Sequence, residues 1–318
     1  MAFFKGIMSK LGGGRSSRAP FINLGAFGKH PGWDDHIDDL GLESPQLINA
    51  KRIFYVQGMS GNIDSGAWDH LSDEDQLKQF HHVFAWRVGE DLIIGRLWSS
   101  SDGKGRKRYP MIVCAHCGGV PMQWAFANIL PMLEKIENQC TSANSASTVR
   151  SIIDRAREEL RSLISRPDAP PRDGADSSAL PNPLATLATR PEMGIELRGL
   201  LAILYQVERE LAPFRPHQKN SLQVAPRHLR VPACAPTADE AMLLWLRFML
   251  SQLDQNTSLC VIVPLNEQFV DLIVGEPTPT QLFCVRASAH KIPLTTEIPY
   301  NLDAEFISRS KGLIASAH

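Results

Sequence analysis

Two imidazoles and four carboxylates fall within ten residues, as His30, Asp34, Asp35, His36, Asp38 and Asp39. These are side chains that ligate transition metals. A metal held by His30, Asp34, Asp35 and His36 would turn a bound water into a nucleophile and make the chain a hydrolase. The spacing opposes this, because His30 and His36 are six apart with Pro31-Gly32 between them, and neither a helix nor a strand aims such a pair at one ion. The competing reading is structural, with Pro31-Gly32 as a turn and Asp34 or Asp35 capping a short helix. No metal or other cofactor is expected.

Three further clusters carry chemical interest. Cys114-Ala115-His116-Cys117 has the spacing of a redox or half-zinc motif. However, Cys114 ends an apolar strand rather than opening a helix, and no second such pair exists, so buried structural thiols are expected. Gly58-Met59-Ser60-Gly61 falls one residue short of a serine nucleophile elbow, because Asn62 stands where the second Gly belongs. Asn62, Asp64, Ser65 and Gly66 read as a loop. Asp102-Gly103-Lys104-Gly105-Arg106-Lys107-Arg108 gathers four cations on a glycine-containing segment. That makes it a candidate for phosphate or another polyanion, although the P-loop spacing is absent; the plain alternative is a solvated hairpin loop.

The elements that must position these residues follow from periodicity and punctuation. Strands are expected at Phe21 to Phe27 and Ile53 to Val56, and Asp73, Glu74 and Asp75 mark a helix N-terminus. Val83 to Val88 and Leu92 to Trp98 form a hairpin around Gly89-Glu90-Asp91. Pro110 to Ala115 is a strand apolar enough to be buried on both faces. Helices follow over Pro121 to Gln139 and Ser147 to Ile164. The second has Val149, Ile152, Ile153, Ala156, Leu160, Leu163 and Ile164 on one stripe. The proline-rich stretch from Arg166 to Pro183 is a linker or long surface loop. Beyond it lie a helix from Met193 to Leu211 and a buried one from Ala241 to Leu253, capped by Thr237 and Glu240. Leu259 to Val263, Phe269 to Val274 and Leu282 to Arg286 then form an antiparallel meander, since their connections are too short for parallel crossovers.

The fold class is therefore α/β (α+β), with a mainly antiparallel sheet and two sequential αβ halves. The pattern leaves open whether the halves share one sheet. The expected organisation is an arm at 1–20, an αβ unit at 21–165, the linker at 166–183 and a second αβ unit at 184–318.

At 318 residues the chain has room for one large or two ordinary domains. With 43% hydrophobic and 21% charged residues, it is neither disordered throughout nor a membrane bundle. A net charge of -1 provides no global field for nucleic acid. Six cysteines are too sparse for a disulfide scaffold, so reduced thiols and a cytoplasmic location are expected. The richest apolar run, Ala241 to Leu250, contains Arg247 and is too short to span a bilayer. Lys5, Lys10, Arg15 and Arg18 make the arm basic. Phe3, Phe4, Ile7, Met8 and Leu11 could form a stripe for weak contact with a membrane or partner; a frayed terminus is the simpler reading.

Two segments together resemble the bacterial type VI secretion-associated family known as TagF or ImpM. They are Gly25-Ala26-Phe27-Gly28-Lys29-His30-Pro31 with Asp34 or Asp35, and Trp98, Asp102, Gly105-Arg106 and Tyr109-Pro110-Met111. The likeness covers about the first 120 residues and departs by one extra residue before Tyr109-Pro110. It implies an α/β sandwich in which helices flank the sheet, no enzymatic activity, and an accessory or regulatory role. Its partners would be secretion-system or phosphorylation-linked regulatory proteins. Gly28, Lys29, Pro31, Asp34, Asp35, Lys104, Arg106, Arg108 and Tyr109 are the expected partner-binding residues, with the 102–108 loop lying beside the 28–35 turn.

Overall fold

The computed structural model describes residues 19–165, 183–188, 196–214 and 224–316. The expected arm lies outside them apart from its last two residues, as does the expected linker apart from Pro183. Seven antiparallel strands form one sheet: β1 (Phe21–Gly28), β2 (His81–Val88), β3 (Asp91–Ser99), β4 (Pro110–Gly118), β5 (Arg227–Pro232), β6 (Leu259–Pro264) and β7 (Phe269–Val274). Their order is β1-β4-β3-β2-β6-β7-β5. The two halves of the chain thus share a single sheet, joined where β2 pairs with β6, Val83 opposite Val263 and Ala85 opposite Val261.

Side chains alternate between the two faces, as a pleated strand requires. On one face Val83, Ala85, Ile94 and Val113 pack against α3 (Met122–Ser142), α4 (Ala146–Leu163), α6 (Leu197–Glu210) and α7 (Ala238–Gln252). Phe84, Trp86, Ile93 and Ile112 enter the opposite core, with α1 (Pro45–Ala50), a π-helix (Lys51–Ser60), α2 (Gly61–Asp64) and α8 (Pro279–Leu282). The short α5 (Pro183–Ala188) and the closing α9 (Ala304–Ser316) belong to the first layer. The class is the expected α/β, with an antiparallel sheet between helical layers. No helix among the described residues is long and apolar enough to cross a membrane.

Four local expectations are overturned. Ile53 to Val56 is π-helical, because Leu47, Ala50, Ile53 and Phe54 continue a helical stripe started by the Ser44 cap and Pro45. Asn62, Asp64 and Ser65 belong to α2 and its cap, where Asn62 Nδ2 donates to Gly58 O and Pro279 O. Asp73 to Asp75 forms a turn, not a helix start, since no apolar stripe follows and Asp75 receives His290 from the far end of the chain. Leu282 to Arg286 is the end of α8 and a 3₁₀ turn, launched by Thr278-Pro279. The third strand of that half is instead β5, which pairs with β7.

Candidate functional site

β1 ends at Gly28 with φ of +112°, and a Cβ there would sit 2.3 Å from Pro110 O, so only glycine allows this close pass of β4. The chain then doubles back. Lys29 N donates to Pro110 O, Ile37 N to Gly28 O, and Ala26 and Leu40 exchange backbone hydrogen bonds along the outer edge of β1. Pro31-Gly32 forms the expected turn, but Asp34 and Asp35 cap no helix.

This return carries Lys29 inward, to 2% exposure. Its Nζ donates to Asp35 Oδ1 at 2.5 Å and to Asp102 Oδ2 at 2.9 Å, and lies 5.4 Å from the Tyr109 ring centre. Asp102, at 1% exposure, is the hub of the β3–β4 loop. One carboxylate oxygen accepts the backbone N–H groups of Lys104 and Arg106, and the other accepts Lys29 and Arg106 Nε, the last at 2.6 Å. Arg106 Nη2 reaches Asp35 Oδ1 at 3.0 Å and Asp34 O at 3.2 Å, while Gly103 N donates to Trp33 O.

The two loops therefore lie side by side, stitched by charge. Arg108 points elsewhere and donates to Asp69, and Tyr109 donates to Asp64. Lys104 and Lys107 are exposed and have no ion-pair partner among the described residues.

Burial works against the Asp102 carboxylate, but the Lys29 hydrogen bond and the backbone and side chain of Arg106 overcome it and hold its pKa well below the usual range. The Lys29 hydrogen bond likewise lowers Asp35. From the π-helix, Tyr55 Oη lies within hydrogen-bond distance of His36 Nδ1, at 3.1 Å, and the rings of His36, Tyr55 and Tyr109 pack together at 5.6 to 6.0 Å. Burial lowers the His36 pKa, and the nearby Lys29 charge adds to it. Burial, then Tyr109 and the neighbouring carboxylates, raises that of Tyr55. Tyr55 carried no sequence signal, because its segment reads as extended. The role of Asp102 was partly legible, since an Asp two residues before a turn N–H is a common side-chain acceptor.

The four residues considered for a metal do not converge. His30 is fully engaged, with Nδ1 accepting Gly32 N–H and Nε2–H donating to Cys140 O. Asp35 is held by Lys29 and Arg106. Among the described residues, three metal-type ligands come within 4.8 Å of one another at His228, Asp271 and Cys284. There Arg230 already donates to both Asp271 oxygens, at 2.8 and 2.9 Å, so a guanidinium occupies the position a cation would take.

Cys114 and Cys117 face opposite cores, as residues three apart on a strand must, and burial pushes both thiols up to about 12. His116 lies between Ser44 and Asp91, with Nε2 3.0 Å from the carboxylate and Nδ1 2.9 Å from the hydroxyl. This serine, histidine and aspartate line resembles a hydrolytic triad in composition. Ser44, however, is buried and its Oγ accepts Leu47 N–H as the cap of α1, so the line fastens that helix to the sheet. The chain matches no protein-family model and no curated protein.

Proposed function

We propose that this chain is a cytoplasmic, non-enzymatic accessory or regulatory protein of a type VI-like secretion apparatus, acting through protein–protein contact. The reading rests on the likeness of its two motif segments to the TagF or ImpM family. It is supported by one observation: the segments, 73 residues apart at Lys29 and Asp102, form one mixed-charge surface around a buried ion pair. Such a surface has a fixed frame, provided by Lys29, Asp35, Asp102 and Arg106, and two solvated cations, Lys104 and Lys107, free to meet a partner. Exposed cations of this kind set association rate and selectivity more than fold stability.

Because Arg106 helps hold a buried carboxylate, the test falls on the two lysines. Changing Lys104 and Lys107 to Ser should leave the melting temperature within about 2 °C. Partner capture should weaken, most at low salt. Deleting the gene should alter effector export. Unchanged export, with no secretion-related partner in a pull-down, would overturn the proposal.

A further inference from the structure

A cavity of about 590 Å³ opens beside the joined loops, where the chain entering β2, the chain leaving β3 and the C-terminal end of α3 meet. That volume suits a small ligand or a short stretch of peptide. Lys78, Lys107, Arg108 and Arg286 line it against a single carboxylate, Asp69, which Arg108 Nη2 already holds at 2.7 Å. The whole chain carries a net charge of -1, so this excess of positive charge is local.

Arg286 is the informative member. It is half-buried, its guanidinium lies 5.0 Å from the Phe80 ring centre, and Nη2 donates to Gln76 Oε1 at 3.1 Å. Burial lowers its pKa, and no carboxylate offsets that among the described residues. A guanidinium has five donors in a planar fork, and among the described residues the hydrogen bond to Gln76 engages one of them. Lys78 is exposed and has no ion-pair partner among the described residues. Ser100 and Ser101 add hydroxyl donors to the same wall.

A planar fork, two unpaired ammonium groups and hydroxyl donors are the set that satisfies a tetrahedral dianion, which has more acceptor sites than a carboxylate. We infer that this groove binds a phosphate monoester carried on a partner protein, gripped by Arg286 with Lys78 and Lys107. The inference rests on the partner-binding reading above and names the chemistry recognised. A protein-borne phosphate fits better than a free ion, because a cavity of about 590 Å³ is several times larger than a phosphate alone would fill and lies beside the surface offered to partners.

The probe is a fluorescent peptide library degenerate around a fixed phosphoserine, measured by anisotropy beside its unphosphorylated and Asp-substituted twins, with inorganic phosphate as competitor. The phosphorylated pool should bind at least about tenfold more tightly than either twin. Lys78→Ala with Arg286→Gln should remove most of that preference, and Arg286→Lys should restore only part of it, because the fork is lost. A melting temperature measured on each variant separates loss of binding from loss of fold.

Equal binding of the Asp twin would make this an acidic-peptide site, and inorganic phosphate binding as tightly as the peptide would make it a free-ion site; either overturns the inference. So does the absence of any phosphate-dependent binding. If that happens while the Lys104 and Lys107 changes still weaken capture and deletion still alters export, the groove fails and the accessory role stands. Phosphate-dependent binding with unchanged export would reverse that outcome.

Discussion

His82 sits at the start of β2 with 1% exposure. Its Nδ1 accepts the N–H of His81, and Nε2–H has no hydrogen-bond partner among the described residues. Burial brings its pKa down to about 3; Asp271 pulls the other way, while His81, Arg230 and Arg286 push down with the burial. The unfolded ring takes up its proton near 6.5. Between that value and about 3 the unfolded chain therefore holds one proton more than the folded one, and stability falls as the pH is lowered, by about 1.4 kcal/mol per unit from this group. In His82→Asn the decline of urea-unfolding free energy below pH ~6 should be shallower by about that amount per unit. An unchanged slope would mean that the native ring is not held neutral. Position 82 gave no sign of this in the sequence, where it is one polar residue beside another before an apolar run. Asp102 was legible as a turn acceptor but not as a buried group: a charged residue just past a strand reads as solvated, and what buries it is Lys29, delivered from a different loop. The pairing of Asp35 with Arg106 could be anticipated from opposite charges on loops at one end of a sheet.

Elements were legible where the pattern repeats over enough residues to exclude alternatives. The β2–β3 hairpin, β4, α3, α4 and α7 follow directly from alternation, stripes and caps. Short segments misled. Leu282 to Arg286 has strand composition, but a proline at the first helical position sets the backbone. β5 was missed because its strand carries Arg227, His228 and Arg230, charges that argue against a buried position until Asp271 is placed opposite Arg230. That pair anchors the segment after β7. Arg230 donates to Ala287 O at 2.9 Å, Ser288 O at 2.7 Å and Cys284 O at 3.2 Å, tying the α8 region to the sheet. Arg230→Met should destabilise the protein by about 3 to 5 kcal/mol in chemical unfolding, because it strands the buried Asp271 carboxylate. Adding Asp271→Leu should recover a substantial part. A single variant costing less than about 1 kcal/mol would show that the pair is not the anchor.

Across the whole molecule, the β2–β6 pairing makes one sheet from two sequence halves, and Trp86 on β2 donates to Ser258 Oγ, just before β6, at 2.7 Å. Trp86 and Trp245 belong to opposite cores packed on that same sheet. Unfolding in urea should consequently be a single transition, with tryptophan fluorescence and far-UV circular dichroism coinciding. Two separated steps would show that the halves open independently. Whether the halves share a sheet was the one architectural question the pattern could not answer, because hydrophobic alternation identifies a strand without naming its neighbour. The same pairing sets a schedule for synthesis. β2 is complete at Val88 and its partner begins only at Leu259, so about 170 residues separate them. At ribosomal speeds of roughly 5 to 20 residues per second, β2 waits about 10 to 30 s with an unpaired edge bearing Val83, Phe84 and Trp86. A nascent chain stalled before Leu259 should therefore recruit chaperones that the released, full-length protein does not.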